Sequence, residues 1–277
     1  GDGTLALNVL RGPDGFLQID RFAFQNPQLS ANVNGEVQGE ARNVTVDARL
    51  NNLAILVPGF PGPVTLRGTV VDAENQLRLN LAAQGPGQID TRLTGTMARD
   101  FSRSDLALTG SSQLGLINPF LSARSAQGLV RFDLTMNGPL GLNALGGTVT
   151  ASNLRIVDPA LNIALSGGTA RATLASGTAR IDATTSVEGG GTLSAAGTIG
   201  MTAPFAADLQ VSAREARLQD PQLYTTSLTG SVAITGPLTG GARIAGTMNL
   251  GQTDVRVPSS FGGTFTIPTI RHIAEPA

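Results

Sequence analysis

The chain has no cysteine, no tryptophan and, among its 277 residues, one tyrosine and one histidine. Without cysteine there are no disulfides and no thiolate metal sites. Lysine is missing too, so all 19 cationic side chains are arginine, which reads as coding bias and not as an adaptation to phosphate. A net charge of −1 leaves no basic face to displace counterions from nucleic acid. The lone histidine, His272 in "IRHIAEPA", has no spacing partner for a catalytic triad or a zinc site. The 20 carboxylates are scattered singly. Several precede proline, as Asp158 and Asp220 do, where turn initiation accounts for them. "GGG" (189–191) lacks the lysine and hydroxyl of a phosphate loop and the regular aspartates of calcium-binding repeats. A G-x-S-x-G elbow does not occur. Nothing asks for an enzyme, a metal or a cofactor.

Long apolar runs are also lacking. "LAILV" (53–57) is among the longest, far short of the roughly 20 residues of a membrane-spanning helix. Aromatic residues make up 4% of the chain, too few for the two girdles of a transmembrane barrel, so the apolar faces are not expected to sit in a bilayer. The chain opens directly in strand-like sequence, "TLALNVL", as a segment of a longer polypeptide would.

What is present is aliphatic and regular. Apolar residues make up 41% of the chain and charged residues 14%, against about 25% charged in ordinary globular chains. Leu5-x-Leu7-x-Val9, Val44-x-Val46, Val64-x-Leu66, Leu77-x-Leu79-x-Leu81, Leu106-x-Leu108, Phe132-x-Leu134-x-Met136, Leu209-x-Val211 and Val232-x-Ile234 alternate with polar residues. That is the pattern of sheets with one apolar face and one wet face. Breaker clusters such as "PGFPGP", "NGPL" and "TGPLTGG" separate them, and the short links suit antiparallel neighbours or solenoid corners. One short helix is expected in "INPFLSARSAQG", with Asn118 as N-cap, Pro119 at the first position and Gly128 past the end.

Three segments repeat a unit: "FAFQNPQLSANVNG" (22–35), "LRIVDPALNIALSG" (154–167) and "ARLQDPQLYTTSLTG" (216–230). Each has Asp or Asn before a proline, then Leu two residues on. A looser pair is "LTMNGPLGLNALGGTVT" (134–150) and "VAITGPLTGGARIAGTMN" (232–249). The spacing is uneven, so no strict short-period solenoid is indicated, and residues 1–277 read as a single elongated repetitive β domain. The Pro corners are expected to be the bends of a folded-over sheet. In "GTLSAAGTIGMTAPFAADLQVSA" (191–213) Leu193, Ile199 and Met201 share one face, as do Phe205, Leu209 and Val211. With no helices to cover such a face, the sheet must fold over on itself. The residues leave two outcomes open: a closed β-solenoid with a dry core, or an open U-shaped groove. Some 20–30 strands at about 4.8 Å spacing would extend on the order of 100–140 Å.

The combination of residues 114–140, 154–168 and 197–250 resembles the TamB family of AsmA-like translocation and assembly module proteins. The resemblance covers roughly residues 110–260. It implies an all-β, elongated, U-shaped (taco-like), mostly antiparallel sheet with a hydrophobic inner groove and at most one or two short helices. It also implies a periplasmic protein anchored in the inner membrane by a segment absent here. The implied partners are phospholipid and a TamA-like outer-membrane barrel protein, and there are no catalytic residues to carry over. The groove lining is then expected at Phe132, Leu134, Met136, Leu161, Ile163, Leu165, Leu193, Ile199, Met201, Phe205, Leu209, Val211, Val232, Ile234, Ile244 and Met248. Two other readings stand beside lipid conduction: a chaperone-like scaffold for outer-membrane protein assembly, and a closed β-helix autotransporter passenger.

Overall fold

The computed structural model describes residues 3–11, 17–38, 41–160, 162–220 and 223–255. Seventeen strands form one sheet. The first eight are β1 (Thr4–Arg11), β2 (Leu17–Gln25), β3 (Leu29–Gln38), β4 (Ala41–Leu50), β5 (Val64–Ala73), β6 (Gln76–Gly85), β7 (Ile89–Ala98) and β8 (Ser104–Gln113). Next come β9 (Ser125–Gly138), β10 (Leu145–Asp158), β11 (Ile163–Ala175), β12 (Thr178–Val187) and β13 (Thr192–Gly200). The last are β14 (Ala206–Asp220), β15 (Tyr224–Pro237), β16 (Arg243–Leu250) and β17 (Asp254–Val255).

From β1 to β16 every strand pairs antiparallel with its neighbour in the chain. The short β17 pairs with β15 beyond the end of β16. The sheet does not close into a barrel. It is the open all-β groove that the resemblance implies; the alternation and short links alone leave a closed solenoid equally open. The strands are fewer than the expected 20–30, because many run to ten residues or more. Sixteen abreast extend about 70 Å at the usual spacing.

The three Asx-Pro repeats all lie at one end of the strands, and they are hairpin tips. In the first, the Asn26 side chain accepts from the Gln28 and Leu29 N–H groups at 2.9 and 2.6 Å. Asp158 accepts from Ala160 N–H at 3.0 Å and Asp220 from Leu223 N–H at 3.1 Å. These are the turn-initiating roles read from the sequence. The expectation that the Pro corners bend the sheet is corrected: the bend lies elsewhere. "NGPL" and "TGPLTGG" occupy the opposite end, between β9 and β10 and between β15 and β16.

A line of β-bulges crosses the second half of the sheet, and the strands kink there; this line is called the bend. Register shifts fall between Ser152 and Arg155 of β10, between Ser166 and Thr169 of β11, and between Ala213 and Ala216 of β14. Asn153, Gly167 and Glu215 take positive φ there. An extra residue on one strand kinks it and increases its twist. The β12–β13 turn sits at the same level and ties both sides together. Glu188 N–H donates to the Ala164 carbonyl at 2.7 Å, and Arg217 N–H donates to the Gly190 carbonyl at 2.9 Å. Burial is concentrated on this line. Ala216 is 1% exposed, Ala213 2% and Val187 5%, with Leu165, Leu193, Leu228 and Met248 packed against them.

In the first half of the chain the strands stop short, and loops take the place of their extensions. Leu53 is buried in a 3-10 turn, Leu53–Ile55, and the Phe60 ring packs against Gly87 and Gly115. A second 3-10 segment, Leu114–Phe120, ends before most of the expected helix and holds Pro119 in its interior. Asn118 does not cap it. Its side chain accepts from Ala126 N–H at 2.9 Å instead, which fastens the segment to β9. A third turn, Leu142–Ala144, is a single 3-10 turn.

Three substitutions test this packing. Gly147 has φ +109°, and a Cβ there would strike the Asp133 carbonyl of β9. Gly147→Val should therefore cost about 1–3 kcal/mol in urea unfolding. Gly200→Ala, whose Cβ meets only ordinary contacts at 3.6 Å, should stay within about 0.5 kcal/mol. Ala216→Leu should cost about 1–3 kcal/mol by overfilling the bend.

Candidate functional site

Directly opposed residues of an antiparallel pair point to the same face, so the register traces rows across the sheet. One row runs Leu7, Phe22, Val33, Val46, Gly68, Leu81, Leu93 and Leu108 through the first half. It continues as Leu134, Gly147, Leu174, Ala179, Ile199, Ala207 and Gly236 through the second. Every member is apolar or glycine. The adjacent row begins Leu5, Phe24, Ala31, Ala48, Leu66, Ala83, Thr91 and Gly110. It ends Phe132, Val149, Ala172, Ile181, Gly197, Leu209, Ile234 and Ile244. Thr91 is its one polar member. A third row, Val130, Ala151, Ala170, Ala183, Ala195, Val211, Val232 and Gly246, lies nearer the bend.

None of these rows contains a charged residue. Their large side chains are mostly half-buried, and no large side chain is fully buried anywhere among the described residues. The face is apolar and only partly covered. The opposite face carries the polar set. Asp47, Arg67, Arg92, Thr109, Asp133, Thr148, Thr173, Arg180, Thr198 and Asp208 fall in one of its rows. At two strand ends a carboxylate comes into phase with the apolar rows, and an arginine holds each. Arg99 reaches Asp72 and Arg124 reaches Asp158, both at 2.6 Å. The Asp100 carboxyl is held below its usual range by hydrogen bonds from the Ser102 hydroxyl and backbone. It belongs to the β7–β8 turn, away from the rows. The described residues hold no cluster of metal-ligating side chains, and no described helix is long and apolar enough to cross a membrane.

The structure places most of the expected lining residues on this face. Leu134 and Ile199 share the first row; Phe132, Leu209, Ile234 and Ile244 share the second; Val211 and Val232 lie in the third. Leu165, Leu193 and Met248 meet at the bend. Met136 stands opposite Leu106 and Leu145, and Ile163 opposite Asp158 at the end of β10. Met201 and Phe205 lie in the β13–β14 turn, where Phe205 has φ +55°, and so are not strand rungs. Ile244 sits on the outermost strand and is 68% exposed. Leu161 lies outside the described residues, as does His272. Sequence reasoning missed the first half of the rows, including Leu66, Leu79, Leu81, Leu93 and Leu108. Their signal was the same two-residue alternation.

Apart from the Thr91 hydroxyl, these rows offer aliphatic contact without side-chain hydrogen-bond donors or ionised groups, which suits a hydrocarbon surface. Residues 178–267, about a third of the chain, match the TamB C-terminal domain family. The match starts at the first residue of β12 and covers the rows on both sides of the bend. Neither curated proteins nor solved structures give a significant match. Over residues 178–267, then, the chain is similar to the TamB C-terminal domain family.

Proposed function

We propose that this chain is a segment of a periplasmic bridge whose apolar groove conducts phospholipid acyl chains between the inner and outer membranes. It is read as part of a longer protein anchored in the inner membrane. It would work with a TamA-like outer-membrane barrel protein in a translocation and assembly module that supports outer-membrane biogenesis. The family is a transport and assembly module and not a known family of enzymes. The observation that carries this reading is the unbroken apolar row from Leu7 to Gly236, fifteen strands long without a charge.

The physical case is one of solvation. Exposing an acyl chain to water costs about 0.8 kcal/mol per CH₂, so two ordinary chains cost on the order of 20 kcal/mol. A continuous aliphatic wall removes most of that cost. Because its rungs are interchangeable and carry no polar handle, no single position holds the cargo, and it can slide.

One observation favours a second reading. Among the described residues no strand pairs with the outer edge of β16, where Ile244 and Leu250 are both largely exposed. Such an edge can add a strand from an unfolded barrel protein, which is the chaperone-like role. The closed β-helix passenger has no counterpart in an antiparallel meander.

Photocrosslinkers at Leu134, Leu209 and Ile234 should capture phospholipid, and crosslinkers at Thr198 and Gln210 on the polar face should not. Native mass spectrometry of the purified chain should show bound phospholipid. Ile199→Asp and Leu209→Arg should abolish the adducts on the apolar face. Equal capture from both faces would sink the conduit, and capture of unfolded protein confined to β16 would favour strand addition.

A further inference from the structure

The apolar face ends in a distinct hollow where β16 and β17 meet β15. Its volume is about 460 Å³, and it is lined by Leu218, Leu223, Tyr224, Thr226, Leu250, Thr253 and Val255. It lies where the edge strand is interrupted. β16 ends at Leu250, β17 begins at Asp254, and both pair with β15. Between them the Gly251 N–H donates to the Ser227 carbonyl at 2.8 Å, which holds the crossing segment against β15.

Its chemistry is nearly uniform. Among the described residues no charged side chain lines it, and four of the seven described lining residues are aliphatic. The two threonines use their hydroxyls on each other and on the backbone. Thr226 and Thr253 are 2.8 Å apart, and the Thr253 hydroxyl donates to the Gly251 carbonyl at 3.2 Å. That leaves no hydroxyl proton on the threonines for a polar ligand. The volume falls in the ~300–1,000 Å³ range of small-molecule pockets and is about three times the ~150 Å³ cavity that takes up benzene. The hollow also joins the apolar face. Leu250 stands opposite Leu228, which packs on the bend beside Leu165, Leu193 and Met248.

We propose that this hollow is a discrete site for one aliphatic chain, a stopping point at the edge of the groove where a single acyl tail lodges. It rests on the groove reading but makes a separate demand. The rows are open rungs that any chain can slide along, whereas the hollow is a local concavity that saturates with one.

The chain supplies its own reporter. Tyr224 is the only tyrosine and there is no tryptophan, so the intrinsic fluorescence of the unmodified protein comes from the rim of the hollow alone. Titration with dibromostearate, whose bromines quench an aromatic ring on contact, should quench that emission saturably at one equivalent per chain. Leu250 is 66% exposed, so Leu250→Asp should leave the sheet folded and weaken the quenching about tenfold or more, equivalent to about 1.4 kcal/mol or more. Leu250→Met should retain it. A second reporter, Leu209→Trp, reads the groove separately. Quenching of the indole with none of Tyr224 would overturn the hollow and leave the groove standing, and quenching of neither would remove both. Quenching of Tyr224 that never saturates, or that is unchanged in Leu250→Asp, would show general partitioning and overturn the site.

Discussion

Register is the constraint on which everything else here depends. Side chains alternate faces with a period of two, so a slip of one residue between any two strands would turn a whole segment of the apolar face outward. In an ordinary domain a second layer helps to penalise that slip, because the misplaced residues leave a core. Here the apolar face is only half covered, and the penalty comes from the rungs themselves and from the turns. The short links and the Asx-Pro tips fix which residues meet. Asn26, Asp158 and Asp220 each clamp a hairpin with a side-chain acceptor, and so each helps to set the phase of two strands at once.

The bulges complement this by changing direction without changing phase. On both sides of the Ala213/Ala216 shift the inward residues remain apolar: Leu209, Val211 and Ala213 before it, Ala216 and Leu218 after it. The skipped positions, Arg214 and Glu215, are charged and exposed. A kink that kept strict alternation would have driven a charged side chain into the bend. The two most deeply buried residues, Ala216 and Ala213, flank the same shift.

The alternation of strands, the short links and the polar outer face were legible because each is a local property of the chain. Phe132, Leu134, Leu209 and Val232 fell on the inner rows because a two-residue period needs no tertiary knowledge. The bend was not legible. Its bulges at Asn153, Gly167 and Glu215 depend on partner strands, and the prolines nearby offered a stronger but local cue. Met201 and Phe205 flank the corner that the sequence marks at Ala203-Pro204, and the backbone turn is wider than that corner, so both fall outside the strands. The short helix was misplaced: Asn118 has the identity of a cap, but its hydrogen bond goes to Ala126. The hollow beside Tyr224 was invisible, since it requires two separate pieces of edge strand on one partner.

Strict neighbour pairing also makes length an adjustable quantity. Each hairpin begins and ends at the same side of the sheet, so removing or inserting two strands leaves every remaining strand with its direction, its face and its neighbours' spacing intact. Each such step changes the extent of the sheet by about 10 Å. A single strand could not be exchanged in this way, because it would reverse the sense of all that follow. The span of such a sheet can therefore be matched to a gap in steps of one hairpin, with no redesign of the surface that faces the cargo.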